Sequence, residues 1–275
     1  MTRERSTRTP LTLSVLVAML STAIVLAGAV TDAEIIKIIQ SDDAPALQQA
    51  LGTDRGWTAR VLFNGSGEER GDLLTVAAGY GATRVVSALL AAGADVNGDP
   101  AMTNGENVWG HTPLYVACLH DQLKVVRALL AAGADATRAD GAGFAALHVA
   151  AALGRLESVQ AMIEAGVSPD SPSQRGDTAL KLAVMKRHAD VATYLLDKHA
   201  KPNAADVRGD TALHEAARNA DRPMVVALLA HGAQPVKNRY GRTPADEAGS
   251  WAPELLDLLG SRAPQRGKGK TPDVR

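Results

Sequence analysis

Seven histidines and one cysteine are the residues of this 275-residue chain best suited to hold a metal or attack a substrate. The histidines stand at positions 111, 120, 148, 188, 199, 214 and 231, and the thiol is Cys118. A zinc site needs paired donors at a fixed short spacing, and the chain has no H-x-x-x-H and no cysteine-histidine pairing of that kind. A catalytic thiol needs exposure and a base beside it. Cys118 follows Ala117 in an apolar run, where it reads as a small hydrophobe. Phosphate binding would call for a glycine-rich loop closed by Gly-Lys and a hydroxyl residue, and "GSGEERG" from Gly65 lacks that ending. There is no G-x-S-x-G and no paired acid in a recognisable setting. The sequence reads as a non-enzyme that needs no cofactor.

Composition agrees with a packed chain that binds no nucleic acid. Apolar residues make up 46%, the formal net charge is −1, and aromatics are only 3%. A core with so few rings must be thin and close-packed between small side chains. The first ten residues carry Arg3, Arg5 and Arg8. Leu11 to Val30 is apolar apart from Ser, Thr and Gly, and Ala27-Gly28-Ala29 offers small residues for a signal peptidase. Residues 1–29 therefore read as a secretory signal cut near Ala29, with an uncleaved inner-membrane anchor as the alternative. Either way the remainder is exported, with a bacterial periplasm as the expected compartment. A single cysteine allows no internal disulfide there. The final segment 261–275 is basic, rich in Gly and Pro, and expected to be disordered.

The elements that must position these residues repeat. "LLAAGAD" occurs at Leu89–Asp95 and again at Leu129–Asp135, with "MIEAGVS" from Met162 and "LLAHGAQ" from Leu228 in similar places. Ala117, Ala150, Ala183 and Ala216 follow one another at 33 residues. Such a period marks stacked units. Within a unit, Thr112-Pro113 supplies an N-cap hydroxyl and a proline at the first helical position. Val125, Val126, Leu129 and Leu130 then give a second helix its apolar face, and Gly133 ends it with a left-handed residue. Each helix pair has an apolar face that only the next copy can cover.

These motifs resemble the ankyrin repeat family, whose signature runs G-x-T-P-L-H-x-A-A, a turn, then V-V-x-x-L-L-x-x-G-A-D. The matches are "GHTPLYVAC" from Gly110, "GFAALHVAA" from Gly143, "GDTALKLAV" from Gly176, "GDTALHEAA" from Gly209 and "GRTPADEAG" from Gly241. The resemblance implies an all-α ankyrin-repeat solenoid of stacked helix-turn-helix pairs with projecting hairpin loops. Repeats are expected at 71–103, 110–142, 143–175, 176–208 and 209–240, with a C-terminal cap at 241–260. An N-terminal capping pair is expected at 31–52, because "DAPALQQALG" from Asp43 echoes "DRPMVVALLA" from Asp221. Residues 53–70 fit no repeat and read as an irregular connection with a short strand at 59–63. The resemblance also assigns His148 and His214 a structural hydrogen bond between repeats, and places His188 and His231 where the family commonly has histidine. His199 stands where the other copies have glycine, so it should take a positive φ.

In such stacks the framework is interior and partners are read by the positions that differ between copies. The resemblance points to residues flanking the glycine before T-P-L-H and to the two after A-A. In order, these are Trp109, His111, Leu119 and His120, then Phe144, Ala152 and Leu153. Gln174, Arg175, Asp177, Met185 and Lys186 follow, then Arg208, Asp210, Arg218 and Asn219, and finally Tyr240 and Arg242. Apolar groups come early and cations late, so a partner protein with an apolar knob beside an acidic strip would fit. Trp109 and Phe144 have a second reading, as cover for the seven-residue insertion around 98–109. The expected partner is another protein, bound by a monomer as an inhibitor or immunity-type factor or as an accessory factor of a periplasmic enzyme. A haem or metal carrier using His111 or His120 is the alternative.

Overall fold

The computed structural model describes residues 31–52, 61–63, 70–98, 111–249 and 252–260. The leader, the insertion with Trp109, most of the 53–70 connection and the C-terminal tail lie outside the described residues.

Among the described residues the chain is a row of fourteen helices in antiparallel pairs. They are α1 (Asp32–Gln40) and α2 (Ala44–Leu51), α3 (Leu73–Tyr80) and α4 (Thr83–Ala91), α5 (Pro113–Leu119) and α6 (Leu123–Ala131), and α7 (Ala146–Ala152) and α8 (Leu156–Glu164). Then come α9 (Ala179–Met185) and α10 (Ala189–Asp197), α11 (Ala212–Arg218) and α12 (Arg222–Ala230), and α13 (Pro244–Ala248) and α14 (Pro253–Leu256). A short antiparallel ribbon, β1 (Val61–Phe63) against β2 (Arg70–Asp72), precedes α3 with Leu62 opposite Gly71.

The helix starts follow from local chemistry. Thr112 accepts from the Tyr115 N–H at 3.1 Å, with Pro113 at the first helical position. Asp43 and Asp221, the two residues of the sequence echo, cap α2 and α12 alike by accepting from Ala46 and Met224. Where Ala145 cannot cap α7, the Nδ1 of His148 accepts from the Ala145 N–H at 3.1 Å. That leaves the His148 Nε2–H to donate to Ser171 O, 2.9 Å away at the start of the following hairpin. His214 does the same, accepting from the Thr211 N–H and reaching Arg242 O at 3.2 Å.

First helices stack on first helices and second on second along the whole row. The two rows bury themselves differently. In α9 every residue from Ala179 to Val184 is buried, because neighbours flank it on both sides and its own partner helix covers a third. In α6 only Val125, Val126 and Leu129 are buried, one stripe of an otherwise solvated helix. Alanines let the first helices approach more closely than the second, so the first helices form a buried inner row and the second helices a more solvated outer one.

Between repeats the chain projects as tight hairpins. Asp140 N–H bonds Phe144 O, Ser173 bonds Asp177, Asp206 bonds Asp210 and Asn238 bonds Arg242, all at 2.8–3.0 Å. Adjacent hairpins are tied by backbone: Gln174 N–H to Gly143 O, Val207 N–H to Arg175 O and Arg239 N–H to Arg208 O. Gly209 has φ +81, and a Cβ there would meet Arg239 N at 3.0 Å in the next hairpin. Glycine serves both the turn and the close approach.

His199 has φ 63 where the equivalent Gly133, Gly166 and Gly232 have φ 85, 91 and 85. Histidine there carries the left-handed penalty that glycine escapes. His199→Gly should raise stability by about 0.5–1 kcal/mol in urea unfolding; a lowered midpoint would show that the histidine ring contributes more than its backbone costs.

Candidate interaction surface

The residues that differ between copies fall into two rows. One row is formed by the C-terminal ends of the first helices. Leu119 and His120 end α5, Ala152 and Leu153 end α7, Met185 and Lys186 end α9, and Arg218 and Asn219 end α11. Leu119 and Met185 are half-buried, His120 and Lys186 are exposed, and Leu153 is 40% exposed. Cations at Lys186 and Arg218 suit the negative end of a helix. Asn219 faces its neighbour, donating to Val184 O at 2.9 Å and so capping α9.

The second row runs along the hairpins. Tyr240 is 71% exposed, and Arg175 and Arg208 are also exposed. Phe144 is half-buried and meets the His148 ring edge-on, centroids 6.2 Å apart. His111 stacks on Tyr115 with centroids 4.2 Å apart, and its Nε2 lies 3.8 Å from the Asp140 carboxylate. Burial holds His111 below the ordinary imidazole value, against the pull of Asp140. Burial, with the Asp140 charge and hydrogen bond, pushes the Tyr115 phenol up.

Two residues read as groove-facing, Asp177 and Asp210, turn out to belong to the interior. Lys181, only 4% exposed, is a buried ammonium between Asp177 at 2.8 Å, Asp206, and Glu215 at 4.0 Å. Asp177 therefore points inward. Asp210 does too, receiving the Asn238 Nδ2–H at 2.7 Å with Arg218 at 3.5 Å. Arg218 also contacts Glu215 at 2.8 Å and Glu247 at 3.3 Å, and Glu247 lies 3.5 Å from Arg242. The late cations are thus of two kinds: Arg218 and Arg242 are held by the chain's own carboxylates, while Arg175, Lys186 and Arg208 stand outside that network.

Nothing in this arrangement is set up for bond-making chemistry. Cys118 is fully buried, and burial followed by the Asp121 charge pushes its thiol up to about 12. Among the described residues no group of three or more His, Cys, Asp or Glu side chains is placed to hold a metal, and no helix is long and apolar enough to cross a membrane.

Comparison with known proteins agrees with the stack. A family model described as ankyrin repeats (3 copies) matches residues 24–140 and 136–206, and a single ankyrin repeat model matches 208–238. The chain belongs to the ankyrin repeat family. Among solved structures it is similar to the human ASB11 ankyrin repeat domain, with 26% identity and a TM-score of 0.65 over 84% of this chain and 98% of that one. No curated protein matches. Ankyrin repeat domains are non-catalytic scaffolds that mediate protein–protein interaction.

Within the ankyrin frame, Lys181 is a substitution with a readable cause. It occupies the T-P-L-H histidine position held by His148 and His214, with Asp177 four residues before it. That departure was the available signal for the buried network. A neutral ring bridging to a backbone carbonyl has been replaced by an ammonium bridging to carboxylates.

Burial alone would lower the Lys181 pKa, but its hydrogen bonds to Asp177 and Asp206 hold it above the ordinary lysine value. Burial would raise Asp206, but the Lys181 hydrogen bond and the Asp210 and Arg208 amides hold it below the carboxylate range. The Asp206 contribution to stability is therefore complete above its unfolded value of about 3.9 and lost as pH falls through the depressed folded value. That of Lys181 is complete below 10.5 and lost as pH rises through the raised one. Lys181→Met leaves Asp177 and Asp206 without their cation and should lower unfolding stability at pH 7 by about 3–5 kcal/mol. The deficit should shrink below about pH 4 as those carboxylates protonate; a deficit that is small, or flat with pH, would show that the ion cluster is not what holds these repeats.

Proposed function

We propose that this protein is exported and acts in the bacterial periplasm as a monomeric binding protein that grips one partner protein along its hairpin tips and inner helix ends. What supports this is the contrast between framework and surface: the same caps and hairpin bonds recur, while the variable positions change from half-buried or exposed leucine and phenylalanine to lysine, arginine and tyrosine along one side. Export is supported by the basic, then apolar, then small-residue order of residues 1–29. A small net negative charge favours a protein over a nucleic acid as partner.

The partner is an exported enzyme that the stack either covers, as an inhibitor or immunity-type factor, or assists as an accessory factor. Binding is rigid-body, since neighbouring hairpins are bonded to one another and order little further on contact. Carriage of haem or metal finds less support, because His111 is stacked on Tyr115 beside Asp140.

Affinity capture from a periplasmic extract tests this reading. Phe144→Ala combined with Leu153→Ala should cut recovery of the specific partner at least tenfold while thermal melting stays within a few degrees of the parent. Equal recovery by parent and variant would mean that this side of the stack is not the binding side. Recovery only from cytoplasmic extract would overturn the compartment.

A further inference from the structure

The residue before each hairpin glycine is Ala142, Arg175, Arg208 and Tyr240 in four successive hairpins. These hairpins are fixed to one another by the Gly143–Gln174, Arg175–Val207 and Arg208–Arg239 backbone bonds, so the four side chains form a ruled edge. Arg175, Arg208 and Tyr240 on it are exposed, and so is Arg239 beside Tyr240. Sequence alone pairs each arginine with an aspartate two residues on, which would cancel the charge. The fold removes that cancellation. Asp177 is drawn inward to Lys181, and Asp210 to Asn238 and Arg218. Asp206 is held by Lys181 on one oxygen and by the Arg208 and Asp210 amides on the other. The guanidinium groups of the edge are left facing out without these carboxylates to oppose them.

We propose that this edge receives an acidic segment of the partner in a polyproline II conformation, running across the hairpins. The proposal rests on the protein-binding reading above and names the chemistry of what is bound. Packed helices, and so the hairpins between them, repeat at about 8–10 Å. A polyproline II chain advances about 9.3 Å in three residues and returns its side chain to the same face, whereas a β-strand turns every third side chain away. The fitting pattern is a carboxylate opposite Arg175, a second three residues on opposite Arg208, and an apolar side chain three further on against Tyr240. Carboxylates suit the planar guanidinium fork. The conformation forms in the free peptide, so little order is lost on docking.

The test uses the full chain and two fluorescent peptides: Glu-Pro-Pro-Glu-Pro-Pro-Leu, and the same residues as Glu-Glu-Pro-Pro-Pro-Pro-Leu. Anisotropy titration at low salt should show the first peptide binding at least fivefold tighter than the second, with affinity falling as salt rises. Arg175→Ala and Arg208→Ala should each weaken it threefold to tenfold, and Arg208→Glu should abolish it, with unchanged melting. Arg127→Ala, exposed on α6 of the outer row, should leave it unaltered. Equal binding of the two peptides, failure of both to bind, or indifference to the arginine variants overturns the proposal. Tighter binding of a charge-matched single-stranded oligonucleotide than of the first peptide overturns it too. None of these results touches the protein-binding reading, which stands or falls on the Phe144 and Leu153 variant in the capture experiment.

Discussion

No helix pair in this protein can hide its own apolar surface, and from that constraint the rest of the molecule follows. The first helices are seven residues or shorter from α5 onward, too short to be stable alone in water, and α9 is buried along nearly its whole length only because α7 and α11 lie on either side of it. The second helices bury a single stripe and leave the opposite side to solvent. Stability in such a row comes from nearest-neighbour interfaces. From α7 to α13 each interface is doubled: apolar contact between helices is matched by backbone bonds between hairpins. The ends show the same rule. Asp42 accepts from the Arg84 and Val85 amides, so the N-terminal pair joins the next by a cap reaching across the interface.

What could be read in the sequence is what local chemistry and period decide. Thr112 and Pro113 announce a helix start because a hydroxyl before a proline satisfies an amide that has no partner inside the helix. The glycine of "LLAAGAD" announces an end because only a left-handed residue fits there, and His199 obeys the same geometry at its cost. The positions facing outward in each hairpin were equally legible, since they follow from the turn and recur with it. The side-chain directions of Asp177 and Asp210 were not. Each is set by a cation whose place depends on the stacking, and the Lys181–Asp206 pair spans 25 residues of sequence. Arg218 looked like a free groove cation by position alone, and becomes the centre of Asp210, Glu215 and Glu247 once its repeat and the C-terminal cap are brought together. Trp109, the first residue of the expected surface, lies outside the described residues.

The buried network also explains why one site in the stack differs in kind from its neighbours on either side. Between α7 and the following hairpin the coupling is a neutral imidazole, with one nitrogen on an amide and the other on the Ser171 carbonyl. One repeat later the same site holds Lys181 and three carboxylates. A neutral bridge contributes equally over most of the pH range, whereas an ionic one depends on both partners keeping their charge. Desolvation makes such a cluster weak evidence of net stability. What it does supply is direction: an ammonium at the base of the hairpin can be satisfied only when Asp177 and Asp206 turn toward it, and that turn decides which side chains remain outside.

Inner and outer charges therefore answer differently to the same solution. Lys181 and its carboxylates lie out of water, where mobile ions do not come between them, so the cluster is little affected by ionic strength. Arg175 and Arg208 stand in solvent, where a Debye length of about 8 Å at physiological salt is comparable to the spacing between hairpins. Each exposed guanidinium then acts largely on what touches it, and recognition along the edge depends on register more than on total charge. Such a surface discriminates by the spacing of an opposing group, which is the property that a rigid row of bonded hairpins can hold constant and a flexible basic segment cannot.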